Sequence, residues 1–136
     1  MGYQMFMHRT SATSMYVQPS HGTDSGAAVP GSVAPVMELP GSSDAVRSLA
    51  ISPTWVEADQ SQLLLACGFE SGHIHILAVN LHAKASRLVW QSASHNMHAA
   101  AVRRLCWSVR SGREQENLLA SCGDDHTVRV FRVSVL

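Results

Sequence analysis

Residues 118–133, LLASCGDDHTVRVFRV, constrain the fold more than any other stretch of the chain. Leu118, Leu119, Ala120 and Cys122 make an apolar run suited to a buried strand. Gly123, Asp124, Asp125 and His126 interrupt it with turn-forming residues. Residues 127–133 then resume with strict alternation, placing Val128 and Val130 on the face opposite Arg129, Phe131 and Val133. The segment reads as strand, tight acidic turn, strand, which is an antiparallel hairpin.

A second copy of this pattern lies upstream. The run from Asp44 to Ile51 (DAVRSLAI) parallels the run from Ala100 to Trp107 (AAVRRLCW), and LLACG at 64–68 parallels LASCG at 119–123. Val46 and Val102 are 56 residues apart and Gly68 and Gly123 are 55 apart, so both landmarks keep nearly one period. On this alignment Cys67 and Cys122 occupy equivalent positions. The first copy offers strands near 46–51, 63–67, 73–79 and 87–91, and the second near 102–107, 117–122 and 127–133. The loops between, 53–62 and 108–116, are polar, and no long helical period occurs. The expected class is all-β. Repeats lie at about 44–91 and 98–133, and the second lacks a fourth strand.

Residues 1–31 differ in character. They are rich in Ser, Thr, Gly, Ala and Met and show no strand or helix period. Such a stretch buries too little apolar area to offset its ordering entropy, so disorder or sequence foreign to the fold is expected there. Arg9 among hydroxyl residues resembles a targeting segment, but the stretch is poorer in arginine than such segments are. From Ser32 the character changes, and 33–39 offers a short strand ahead of the repeats in 32–136.

Composition limits the classes of function. Ten basic and ten acidic residues cancel, so no global field draws in nucleic acid or an anionic membrane. No apolar run approaches membrane-spanning length. Three cysteines without framework spacing suggest a reducing compartment.

Residue by residue, the second copy resembles a WD repeat. His98 stands four residues before Val102, as that family's loop histidine does before its first strand. Ser121 falls on the second strand and Asp125 in the tight turn. In the family these three join a tryptophan on the third strand in a hydrogen-bonded tetrad. Phe131 takes that place here, and Arg132 replaces the family's terminal Asp. Phenylalanine has no ring N–H, so the resemblance implies a network that stops short of its last member. The first copy departs further, with Leu77 at the tryptophan position, Glu70 as the acid nearest the turn and no loop histidine.

AVRRLCW, then SGR, then ASCGDDHTVRVFRV, preceded by AVRSLAISP and LLACGFESGHIHI, is similar to the C-terminal region of the Elongator subunit-two family over 36–136. The resemblance implies a partial β-propeller of about two blades, the last incomplete, cut from a larger propeller. It implies a non-catalytic scaffold in a complex that modifies wobble uridines of transfer RNA, with the chemistry on another polypeptide. The implied partners are other Elongator subunits, with transfer RNA met only through the complex. No cofactor, metal, membrane or small-molecule substrate is implied, and the implied location is cytoplasm and nucleus. An unrelated WD-repeat adaptor, as in trafficking or ubiquitin targeting, is the alternative.

A metal-dependent hydrolase is the reading from another class. His73 and His75, two apart on a strand, face one way. Cys122 and His126 have a C-x3-H spacing, but no second pair completes a zinc site. Asp124, Asp125, His126 and Ser121 fit a hydrogen-bonded turn better than hydrolytic machinery, since no nucleophile elbow or phosphate loop accompanies them. Nine of the ten cations are arginine, six of them between Arg103 and Arg132. Arg103 and Arg104 on a strand, with Arg110 and Arg113 in the next loop, are candidate contacts for a partner or RNA, set against a plain solvated edge. Trp90 and Trp107 are expected to pack between blades, and Trp55 to serve there or as an interface anchor in a loop.

Overall fold

The structure, a computed structural model, describes residues 3–6, 14–19, 35–39, 42–55, 62–108 and 117–134. The described residues form ten strands and no helix. By its internal contacts the chain divides into two units, Met1–Ser42 and Ser43–Leu136.

The first unit is a three-stranded antiparallel sheet in the order β1 (Tyr3–Phe6), β2 (Ser14–Pro19), β3 (Pro35–Glu38). Tyr3 pairs with Pro19 and Phe6 with Tyr16, while Ser14 pairs with Glu38. Strands within 1–31 differ from the sequence reading, which found no period there. YQMF and SMYVQP are too short to display one, yet their aromatic and β-branched residues suit a ladder once a partner strand supplies it. The strand near 33–39 pairs with β2, so it groups with the first unit and not with the repeats.

In the second unit β4 (Val46–Trp55), β5 (Gln62–Phe69), β6 (Ile74–Asn80) and β7 (Ala85–Gln91) form a four-stranded antiparallel sheet in sequence order. β8 (Val102–Trp107), β9 (Asn117–Gly123) and β10 (Val128–Val133) form a three-stranded one, with β10 at its edge. β4 runs beyond the expected strand to Trp55, with a register shift between Ile51 and Trp55. Pro53 lies inside that shift, where its missing N–H disturbs the ladder least. The expected loop at Trp55 is therefore the end of a strand.

The repeat is written into the backbone. The first two strands of each sheet slip register at the same place, between Val46 and Ser48 and between Val102 and Arg104. Each second hairpin turns through a residue of positive φ, Gly72 at 92° and His126 at 61°. In each turn that residue's N–H reaches back 3.2 Å to a carbonyl, Phe69 in one and Gly123 in the other. Gly72 and His126 are 54 residues apart, not 55, and this corrects one expectation. Leu49 pairs with Cys67 and Leu105 with Ser121, so Cys67 corresponds to Ser121 and Cys122 to Gly68. Matching the two cysteines slips one residue, which in a strand exchanges the faces.

The core lies between the two sheets. Leu64 and Ala66 of β5 and Ile74, Ile76 and Ala78 of β6 meet Val102, Trp107, Leu119 and Val133. Burial of Leu64, Ile74, Ile76 and Leu119 contributes roughly 1.5–3 kcal/mol each. Two polar links join the inner strands across this core. Trp107 Nε1 donates to the Ala50 carbonyl at 3.0 Å, and Ser48 Oγ donates to the Val102 carbonyl at 2.9 Å.

Candidate interaction site: a histidine strut and an open strand edge

His98 sits in the connection from β7 to β8 and is fully buried. Its Nδ1 lies 2.9 and 3.1 Å from the two carboxylate oxygens of Asp125, and its Nε2 lies 2.7 Å from Ser121 Oγ. The carboxylate assigns the hydrogen to Nδ1, and Nε2 then accepts the Ser121 hydroxyl. Asp125 also accepts from Ala99 N–H at 3.0 Å, Thr127 N–H at 3.1 Å and Thr127 Oγ1 at 2.8 Å. Burial alone would raise the Asp125 carboxyl, but these bonds outweigh it and hold the group well below the usual carboxylate range. Gly123 leaves room for the ring, since a Cβ there would stand 2.8 Å from His98 Nδ1.

The structure thus brings His98, Ser121 and Asp125 together and leaves Phe131 apart. Phe131 packs on Trp90 instead, with ring centroids 5.3 Å apart. Thr127, Ala99 and Gly123 belong to the same cluster and escaped the sequence reading. Thr127 could have been suspected from its place directly after the DDH turn.

His98 also reaches the first sheet, because its N–H donates to the Gly72 carbonyl at 3.0 Å. In that sheet the matching turn is built with inverted polarity. Ser71 stands where Asp125 stands in the second copy, and it donates through its N–H and hydroxyl to Asp44 of the preceding loop. The acid has moved from the turn to the loop, and the link between them survives. Glu70, the nearest acid to the turn, pairs with Arg47 instead.

Serine, histidine and aspartate in this order match a hydrolytic triad in connectivity. Ser121 is only 2% exposed and His98 0%, so the hydroxyl is closed to any substrate and the chain of bonds can only brace loop against turn. His75 packs against Phe69 with tilted rings, centroids 4.6 Å apart, and burial and neighbouring His73 push its pKa down. His73 Nδ1 lies 3.4 Å from Ser92 Oγ. Among the described residues no three His, Cys, Asp or Glu side chains are grouped to hold a metal.

Of the candidate arginines, Arg103 is bulged outward and clasps Asp124 through Nε at 2.7 Å and Nη2 at 2.5 Å. That bond raises the Arg103 pKa and lowers that of Asp124. Arg47 and Glu70 form the corresponding pair in the first copy. Arg104 is exposed on β8, so both neighbours on this strand face solvent, as a bulge permits. Arg110 and Arg113 lie outside the described residues.

β10 leaves one edge open. Val128 and Val130 are 73% and 65% exposed, whereas Ile74 and Ile76, at the same positions of the first copy, are 0%. Beside this edge runs a cleft of about 350 Å³ lined by Val89, Trp90, Asn96, Val130 and Phe131.

Residues 90–132, from the end of β7 to β10, match the WD40 family (WD domain, G-beta repeat). The chain is 30% identical to Elongator complex protein 2 of Rattus norvegicus over 99 residues, which is 65% of this chain and 12% of that protein. It is 35% identical to Elongator complex protein 2 of Homo sapiens over 52 residues (32% and 6%), and 30% identical to that of Drosophila melanogaster over 100 residues (74% and 12%). The chain therefore spans a small part of the length of these relatives. Alternating strands, tight turns and the histidine strut converge with these matches: the chain carries a WD40 repeat, and its all-strand second unit is part of a β-propeller similar to Elongator complex protein 2.

Proposed function

We propose that this chain is a non-catalytic scaffold piece of an Elongator complex, supporting wobble-uridine modification of transfer RNA. Its role is binding: turns and strand edges hold other Elongator subunits, and a separate subunit meets the transfer RNA and carries the chemistry. It works in the cytoplasm and the nucleus without a cofactor. The observation that carries this reading is the extent of the similarity to Elongator complex protein 2, which exceeds either repeat alone. The geometry agrees with it. The Ser121 hydroxyl and the His98 ring are buried, while the surface turns are pinned by buried or paired side chains. Such pinning presents loops to partners in one arrangement.

The test is to express the full chain with an affinity tag in cells and identify co-purifying proteins by mass spectrometry. The reading expects the other Elongator subunits, in amounts reduced by His98→Ala. Recovery of a folded chain without them would overturn it.

A further inference from the structure

β6 opens on two histidines that the repeat does not require. His73 and His75 stand two residues apart, and Thr127 and Arg129 hold the same places in the second copy. The Phe69 N–H donates to the His73 carbonyl at 2.9 Å, so the ladder with β5 already runs at His73. Residues two apart on an extended chain share a face, with Cα atoms about 7 Å apart. Both histidines are half-buried, and neither is enclosed as His98 is.

The surroundings of the pair suit a cation. Phe69 walls it on one side, with its ring centroid 4.6 Å from that of His75. Ser92 Oγ accepts the Ile74 N–H at 2.9 Å and lies 3.4 Å from His73 Nδ1. With Nδ1 turned to that hydroxyl, Nε2 is the His73 nitrogen left for a ligand. The Asp44 carboxylate acts on the His75 ring and favours positive charge there. Cys67 lies opposite His75 in the ladder, but burial pushes its thiol up to about 12 and keeps it protonated. Among the described residues no three His, Cys, Asp or Glu are grouped for a metal, so the chain itself offers two imidazoles. Two imidazoles suit late divalent transition ions and fit magnesium and calcium poorly.

We propose that His73 and His75 chelate one zinc ion, with water in its remaining positions. Each ring places one nitrogen about 2.0–2.1 Å from the ion, a reach that two strand residues on one face have. Two protein donors are fewer than structural or catalytic zinc centres use. The ion is therefore exchangeable, and neither the fold nor the scaffold role requires it. The site is distinct from the His98 strut, whose ring nitrogens are engaged by Asp125 and Ser121. It is also independent of which complex the chain joins.

The test uses the full chain without a histidine tag, titrated with zinc chloride in a buffer that does not bind metals. Calorimetry should show one saturable step of one zinc per chain. In NMR spectra the ring signals of His73 and His75 should shift together, while those of exposed His82 and His95 stay in place. His73→Gln and His75→Gln should each weaken binding about tenfold or more, and His95→Gln should leave it unchanged. Amide protection of β5 and β6 in each variant establishes that the sheet is intact. No uptake by a chain with protected β6 would overturn the proposal. Binding that survives either single substitution at full strength would overturn it too, since that is adventitious capture by one imidazole.

Discussion

The backbone N–H of His98 donates to the carbonyl of Gly72 at 3.0 Å, while the ring of the same histidine bonds Asp125 and Ser121. One buried residue thereby ties the turn of the first sheet, through its backbone, to the hairpin of the second, through its ring. Replacing His98 by Ala leaves a void, strands the Ser121 hydroxyl and removes a donor from Asp125. The cost is about 2–4 kcal/mol, read as a lower urea midpoint. Exchange protection should fall in the 123–127 hairpin and persist in β5 and β6. An unchanged midpoint would contradict this role.

Gly72 is the other half of the link. Its φ of 92° is one that side-chain-bearing residues seldom adopt, and a Cβ there would stand 2.0 Å from the His98 carbonyl oxygen. Gly72→Ala therefore must displace the loop, and the expected loss is about 2–4 kcal/mol by denaturant melt. A variant as stable as the parent would show that the loop yields freely.

The acid response of the hairpin follows from Asp125. Its carboxyl is held below the ordinary range in the folded chain, so the stabilisation is complete above the unfolded pKa of about 4. It is lost progressively as pH falls from there toward the depressed native value. Exchange protection of Thr127 and His126 should hold at about pH 5 and decline below about pH 4. Asp125→Asn should lower protection at neutral pH and flatten that acid response. Asp124, also depressed through its bond to Arg103, is checked separately with Asp124→Asn. An undiminished acid response in Asp125→Asn would assign it elsewhere.

The three cysteines should separate by reactivity. Burial pushes the Cys67 thiol up to about 12, while Cys106 is exposed and Cys122 is intermediate. A rise from 9.0 to about 12 cuts the thiolate fraction roughly a thousandfold near neutral pH. Iodoacetamide followed by peptide mass mapping should label Cys106 first and Cys67 only on unfolding. Early labelling of Cys67 would mean that β5 is not buried.

Much of the second unit was legible because burial and period coincide there. Ile74, Ile76 and Ala78 are buried and alternate with half-buried residues, and the DDH turn announces itself by residue type. What escaped detection depends on three-dimensional register. LLACG and LASCG align by eye on their cysteines, whereas the ladders set Cys67 against Leu49 and Ser121 against Leu105. The exchange of acid and hydroxyl between Asp44–Ser71 and Asp125 is invisible to any motif that expects the acid in the turn. β1 and β2 were missed because four to six residues cannot show a period, and only pairing makes them strands.

Among the described residues β10 is the third strand of its sheet and its outer edge is unpaired. Residue-resolved hydrogen exchange of the dilute full chain measures this directly. The expected result is alternation, with Arg129 and Phe131 amides protected by β9 and Val128 and Val130 amides exchanging freely. Uniform protection along β10 would mean that the edge is already paired. Uniform rapid exchange would mean that β10 does not belong to the sheet, and the partial blade would be refuted.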